Sequence, residues 1–163
     1  MRLTMVGTGY VGLVSGVGFA NLGNDVICLD IEDHKVEKLS AGKLTIYEPG
    51  LEEIFSRNLK DGRLAFTTDN KYAFQSSDVI FICVGTPPNS RAEADLNAVK
   101  DVAASIGKYM NGYKVVVNKS TVPVGTAEIV RNIIKKNQPE PTPFDVVSNP
   151  EFLREGEIGR AHV

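Results

Sequence analysis

Three glycines, Gly7, Gly9 and Gly12, stand at the spacing G-x-G-x-x-G in GTGYVG, directly after the apolar run LTMV. This spacing suits phosphate. Gly7 permits a tight turn, Gly9 lets backbone approach a pyrophosphate, and Gly12 lets the following helix pack close to the strand. The start of that helix offers unpaired N–H groups and the positive end of its dipole to an anion. The triplet alone is a weak signal; a strand before it and a helix after it confirm it. Asp30 stands 18 residues after Gly12, at the end of the run DVICLD. A carboxylate there accepts a hydrogen bond from a ribose 2′-OH and repels a 2′-phosphate, so the expected cofactor is NAD rather than NADP. The other role open to Asp30 is to cap the helix that follows. Lys35, one helical turn onward, either steadies the same ribose or stands in solvent.

Three further stretches carry polar residues where a sheet would present them to a ligand: VGTPPN with Thr86 and Pro87, NKSTVPVGT with Ser120, Thr121 and Pro123, and SNPEFLREG with Glu151 and Glu155. Pro, Ser and Thr also serve ordinary turns, and Thr121 is a plausible cap for the helix after it. A loop carboxylate beside a reacting alcohol assists proton removal once burial tunes its pKa.

The elements that must position these residues alternate. Short apolar runs (LTMVG, DVICLD, LAFTTD, DVIFICVG, KVVVNKS and FDVVSNP) read as six strands. Between them lie helical patterns. YVGLVSGVGFANLG is rich in small residues and stops at Gly23. LTIYEPGLEEIFSRNLKDG reads as a loop into a helix, in which Leu51, Ile54, Phe55 and Leu59 recur at helical spacing. In VGTAEIVRNIIKKN, Ile129, Val130, Ile133 and Ile134 fall on one side of a helix. DVIFICVG is apolar throughout, as a strand buried on both faces is. Strands alternating with helices mean parallel βαβ units. The expectation is an α/β fold, a doubly wound parallel sheet of about six strands with helices on both faces, and ligands bound beyond the carboxyl ends of its strands.

Composition narrows the partners. The 163 residues suffice for one domain with its own core. Eighteen Lys and Arg against 20 Asp and Glu leave a net charge of −2, scattered along the chain, which gives no electrostatic case for nucleic acid. No apolar run reaches the length of a membrane span, so no membrane partner is expected. Cys28 and Cys83 each sit in an apolar run and read as buried strand residues away from the loops. Their spacing suits neither a metal site nor a disulfide framework, no metal is expected, and a reducing cytoplasm fits.

Taken together and in order, GTGYVGLVSGVGFANLGNDVICLDI, IYEPGLEEI, VGTPP…ADL, KSTVPVGT and SNPEFLREG resemble the UDP-glucose/GDP-mannose dehydrogenase family, from Met1 to Gly156. Thr45 departs from the pattern, since proline is more usual before IYEPGL. The resemblance implies a cofactor role for Gly7, Gly9, Tyr10, Val11 and Gly12 at the pyrophosphate and for Asp30 and Lys35 at the adenosine ribose. Thr86 and Pro87 would line the path from adenine to nicotinamide. Thr121 would sit near the nicotinamide and place a water or proton relay. Glu151 would do acid–base work at the sugar carbon, and Glu155 would meet the nicotinamide half. The segment Glu151, Phe152, Leu153, Arg154 and Glu155 would touch the nucleotide sugar. Enzymes of this family oxidise the C6 alcohol of a nucleotide sugar such as UDP-glucose to a carboxylate. They reduce two NAD and pass through a cysteine-bound thiohemiacetal and thioester. A lysine and an asparagine or aspartate stabilise the oxyanion. The resemblance implies that those groups belong to a central helical region and a UDP-binding domain not found in these 163 residues, and that the full-length enzyme is a homodimer. Other substrates of the family, GDP-mannose or a UDP-N-acetylhexosamine, stay open, as does a nucleotide-binding module without catalysis.

The expected NAD-binding domain is residues 1–156. After Gly156 the chain reads EIGRAHV. One back-translation, GAG ATC GGA AGA GCA CAC GTC, contains AGATCGGAAGAGCACACGTC, which resembles a common sequencing-library adapter. Residues 157–163 are therefore expected to be non-native.

Overall fold

Short β-branched and aromatic runs and longer amphipathic runs alternate in the chain, and the folded elements follow them. The computed structural model describes residues 1–88 and 94–150. Its elements, in order, are β1 (Arg2–Val6), α1 (Tyr10–Asn21), β2 (Asp25–Leu29), α2 (Asp33–Ser40), α3 (Leu51–Lys60) and β3 (Leu64–Thr67). There follow α4 (Asn70–Ser76), β4 (Val79–Ile82), α5 (Asn97–Tyr109), β5 (Lys114–Asn118), α6 (Thr126–Asn137) and β6 (Phe144–Ser148). The strands form one sheet in the order β3-β2-β1-β4-β5-β6, with every neighbouring pair parallel. The order reverses between β1 and β4, and a crevice opens there at the carboxyl ends of the strands.

Burial on both faces explains the continuous apolar strands. On one face, Leu13 and Val17 of α1, Leu39 of α2 and Phe55 of α3 pack with Met5 and Cys28. On the other, Phe74 of α4, Ile106 of α5 and Ile134 of α6 pack with Ile80 and Val116. Each fully buried large side chain contributes about 1.5–3 kcal/mol by leaving water. Ile134 has no exposed surface. We expect Ile134→Val to cost about 1 kcal/mol through the lost methylene and the small void left behind, read as a lower urea midpoint with an unchanged slope.

One expectation is refined and one needs correction. Ile129 is 41% exposed, whereas Val130 and Ile134 of the same helix are buried and Ile133 packs partly against the core. A helix buries a stripe, and Ile129 stands at the edge of that stripe. Cys83 is not a strand-interior residue. β4 ends at Ile82, whose carbonyl accepts hydrogen bonds from both Lys119 N–H and Ser120 N–H, and Cys83 begins the loop beyond it. Glu151, Phe152, Leu153, Arg154 and Glu155 lie outside the described residues, as does the segment 157–163.

Candidate dinucleotide site

The loops that follow β1, β2 and β4 converge on a cleft of about 500 Å³, lined in part by Gly7, Gly9, Asp30, Lys35, Cys83 and Gly85. The glycine turn is built as its spacing suggests. Gly7 has φ of 95°, a left-handed conformation that side chains disfavour, and a Cβ there would lie 2.9 Å from the Cys83 carbonyl oxygen. A Cβ on Gly9 would meet nothing within 4 Å, so this residue leaves open space at the turn. A Cβ on Gly12 would lie 1.9 Å from the Gly7 carbonyl oxygen. Gly12 thus serves close packing of α1 onto the turn itself, and onto Cys83, more than onto the strand. Gly9 is the N-cap of α1 and makes no side-chain cap. The first intrahelical bond runs from Leu13 N–H to the Gly9 carbonyl, so the ladder does not use the N–H groups of Val11 and Gly12.

Asp30 follows β2 and its carboxylate is nearly buried, with 7% of the side chain exposed. Its Oδ2 accepts from Thr8 N–H at 2.8 Å and from the Thr8 hydroxyl at 2.5 Å. Lys35 Nζ donates to the same oxygen at 3.2 Å and to Glu32 Oε1 at 3.3 Å. Oδ1 accepts from Glu32 N–H at 3.2 Å. Burial pushes the Asp30 carboxyl up, but the hydrogen bonds from Thr8 and Glu32 and the charge of Lys35 outweigh it and hold the group below the usual carboxylate range. For Lys35, burial favours the neutral amine, and the adjacent Asp30 charge more than offsets it, raising the pKa. Asp30 does not cap α2. The N-cap there is Glu32, without a side-chain bond, and α2 starts at Asp33.

The other expected residues divide. Tyr10 opens α1, and its hydroxyl donates to Glu48 of the IYEPG stretch. The Thr86 hydroxyl donates to the Thr121 carbonyl at 2.7 Å, tying the loop after β4 to the loop after β5. The Ser120 hydroxyl reinforces that tie through the Val84 carbonyl at 2.8 Å. Thr121 is exposed and caps no helix; Gly125 is the N-cap of α6. The Pro87 carbonyl accepts from Asp95 N–H. Neither Thr86, Pro87 nor Thr121 lines the cleft beside Asp30.

Sequence reasoning missed Thr8 and Ile31. Thr8 is fully buried between two glycines of the turn. Ile31 is 91% exposed and lines the cleft next to Asp30, an apolar surface with the character of a base-binding wall. An isoleucine just past the end of a strand was the available signal for the second; nothing local signalled the first. Cys28 is fully buried and burial pushes its thiol far up, which leaves it inert. Among the described residues, no group of three or more His, Cys, Asp and Glu side chains comes together as a metal site, and no helix is long and apolar enough to cross a membrane.

A glycine turn at the switch point of a doubly wound sheet, with a carboxylate ending the next strand, defines a dinucleotide-binding domain of the Rossmann type. The sequence pattern of the UDP-glucose/GDP-mannose dehydrogenase family, NAD binding domain, matches residues 1–161, and the chain belongs to this family. It is 54% identical to the UDP-glucose 6-dehydrogenase TuaD of Bacillus subtilis over 155 residues, which are 95% of this chain and 34% of that one. The fold superposes on a UDP-glucose dehydrogenase from the archaeon Pyrobaculum islandicum with a TM-score of 0.90 at 45% identity, covering 95% of this chain and 37% of that one. A GDP-mannose dehydrogenase from Pseudomonas aeruginosa gives a TM-score of 0.89 at 38% identity, with 94% of this chain and 37% of that one covered. The chain therefore spans about a third of the length of these relatives.

Proposed function

We propose that the chain is the NAD-binding part of a UDP-glucose 6-dehydrogenase, an enzyme that oxidises UDP-glucose with two NAD and water to UDP-glucuronate and two NADH. The observation that carries the cofactor half of this reading is the cleft in which the open Gly9 turn faces a buried, ionised Asp30. In this reading Gly7, Gly9, Tyr10, Val11 and Gly12 seat the pyrophosphate, helped by the N–H groups at the start of α1. Asp30 and Lys35 hold the adenosine ribose, and Ile31 supports the adenine. The Thr86–Thr121 tie braces the two loops at the nicotinamide end, where Thr121 places a water or relays a proton. Bound NAD supplies the hydride acceptor; these side chains bind and orient it.

The substrate half rests on similarity. Identity is 54% to a UDP-glucose 6-dehydrogenase against 38% to the GDP-mannose enzyme. Glu151, Phe152, Leu153, Arg154 and Glu155 are assigned to the sugar nucleotide and the acid–base work on the same footing. The reading extends to a cytoplasmic homodimer for the full-length enzyme, on the family resemblance alone.

Titration calorimetry tests the cofactor assignment: the expected result is binding of NAD and at least about 10-fold weaker binding of NADP, since a 2′-phosphate meets the Asp30 carboxylate. Equal affinities overturn it. The purified 163 residues are expected to form no NADH from UDP-glucose, because Cys28 and Cys83 are both buried and neither is placed as a nucleophile. NADH formation followed by absorbance overturns that expectation.

A further inference from the structure

We propose that Thr8 is the positioning residue that fixes the plane of the Asp30 carboxylate, so that the oxygen Thr8 does not hold is presented to the adenosine ribose, and thereby sets the discrimination for a 2′-hydroxyl. This rests on the reading of the cleft as an NAD site. Thr8 has no exposed surface, so its hydroxyl has no access to water. Both of its donors, the backbone N–H at 2.8 Å and the hydroxyl at 2.5 Å, converge on Asp30 Oδ2. Lys35 Nζ adds a third donor to the same oxygen at 3.2 Å. An ionised carboxylate has about two lone-pair sites on each oxygen, so three donors fill Oδ2. Oδ1 accepts from Glu32 N–H alone among the described residues, and keeps acceptor capacity for a ligand. The torsion that turns an aspartate carboxylate is soft, so burial alone does not fix the plane of the group. Two donors from one rigid, buried residue do. The hydroxyl supplies the stronger hold, since an O–H bond to an ionised oxygen is charge-assisted and short. That hydroxyl is also committed: its proton is spent on Asp30, so Thr8 acts through Asp30 and not on the cofactor.

The experiment compares Kd for NAD with Kd for the NAD analogue lacking the adenosine 2′-hydroxyl. It uses the unsubstituted chain and the variants Thr8→Val, Thr8→Ala and Thr8→Ser, with thermal melts to establish that each is folded. The unsubstituted chain is expected to prefer NAD by about 30-fold, the value of one hydrogen bond to a charged acceptor. Thr8→Val keeps the shape and loses the hydroxyl, and its preference is expected to fall to about 2-fold. Thr8→Ala is expected to do the same if the valine variant does not fold, and Thr8→Ser to retain the full preference. A purely structural role lowers the melting temperature and both affinities together; an unchanged preference in the variants without a hydroxyl therefore overturns the proposal and leaves the NAD site standing. Absence of NAD binding by the unsubstituted chain overturns the NAD reading and this proposal with it.

Discussion

Gly12→Ala is expected to lower stability by about 3 kcal/mol and to weaken NAD binding at least about 100-fold. The added Cβ would lie 1.9 Å from the Gly7 carbonyl oxygen and 3.1 Å from the Cys83 Cβ. The first of these neighbours is backbone and cannot rotate away, so either α1 retreats from the sheet or the turn shifts. If α1 retreats, the contacts of Leu13 and Val17 with the core loosen. If the turn shifts, the helix-start N–H groups lose their aim at the pyrophosphate. Two charge-assisted hydrogen bonds lost at about 1.5 kcal/mol each account for the loss of affinity. Gly9→Ala is the control. Its Cβ meets nothing within 4 Å, so stability should stay within about 0.5 kcal/mol of the unsubstituted chain while NAD affinity falls, because the methyl occupies space that the phosphates need. Urea unfolding and titration calorimetry on the two variants separate packing from ligand clearance. Equal stability losses in both would show that the turn, and not the Gly12 contact, is the sensitive element.

Asp30→Ala is expected to weaken NAD about 30-fold and to erase the preference for NAD over NADP. The variant loses the acceptor for the ribose hydroxyl, a bond to a charged group worth about 2 kcal/mol. It also loses the negative charge that repels a 2′-phosphate, and it leaves Lys35 paired with Glu32 alone, at 3.3 Å. The local charge of Asp30, Glu32 and Lys35 rises from −1 to zero. A variant that keeps its preference for NAD would move the discrimination elsewhere in the cleft. The same substitution carries a pH signature. Asp30 has a lower pKa folded than the ordinary value of about 3.9 that it has in the unfolded chain, so its ionised form stabilises the fold. That contribution is complete above the unfolded value and is lost as pH falls through the lower folded one. The gap in melting temperature between the unsubstituted chain and Asp30→Ala should therefore be widest at neutral pH and should narrow progressively as pH falls below about 3.9. A gap that is constant with pH would assign the loss to packing rather than to charge.

Much of the architecture was legible. The strand runs DVICL and KVVVN are too apolar for a one-sided sheet, and the helix of Leu51 and Phe55 shows its buried stripe openly. The glycine turn and Asp30 were legible because each role follows from a local requirement: no Cβ at a crowded turn, a carboxylate at a strand end. The Tyr10–Glu48 and Thr86–Thr121 contacts were not legible, since they join residues 38 and 35 positions apart. Periodicity tells which face of an element is buried but not which loop lies opposite. The position of Cys83 was misread for a related reason. An apolar run continues smoothly past Ile82, and nothing in its residue types marks where the strand gives way to the loop. Ile129 shares the apolar side of α6, but its place at the edge of the buried stripe depends on what packs there, which spacing does not state.

By itself the sequence determined the parallel alternation, the tight glycine turn after β1, the aspartate that follows β2 and the family, because these depend on residue type and near-neighbour spacing. Tertiary structure alone decided how the site is held. Bringing β4 beside β1 sets Cys83 against Gly12, and bringing β1 beside β2 closes a buried Thr8 on Asp30. Those contacts depend on the distance between separate elements, which packing sets and no stretch of sequence states.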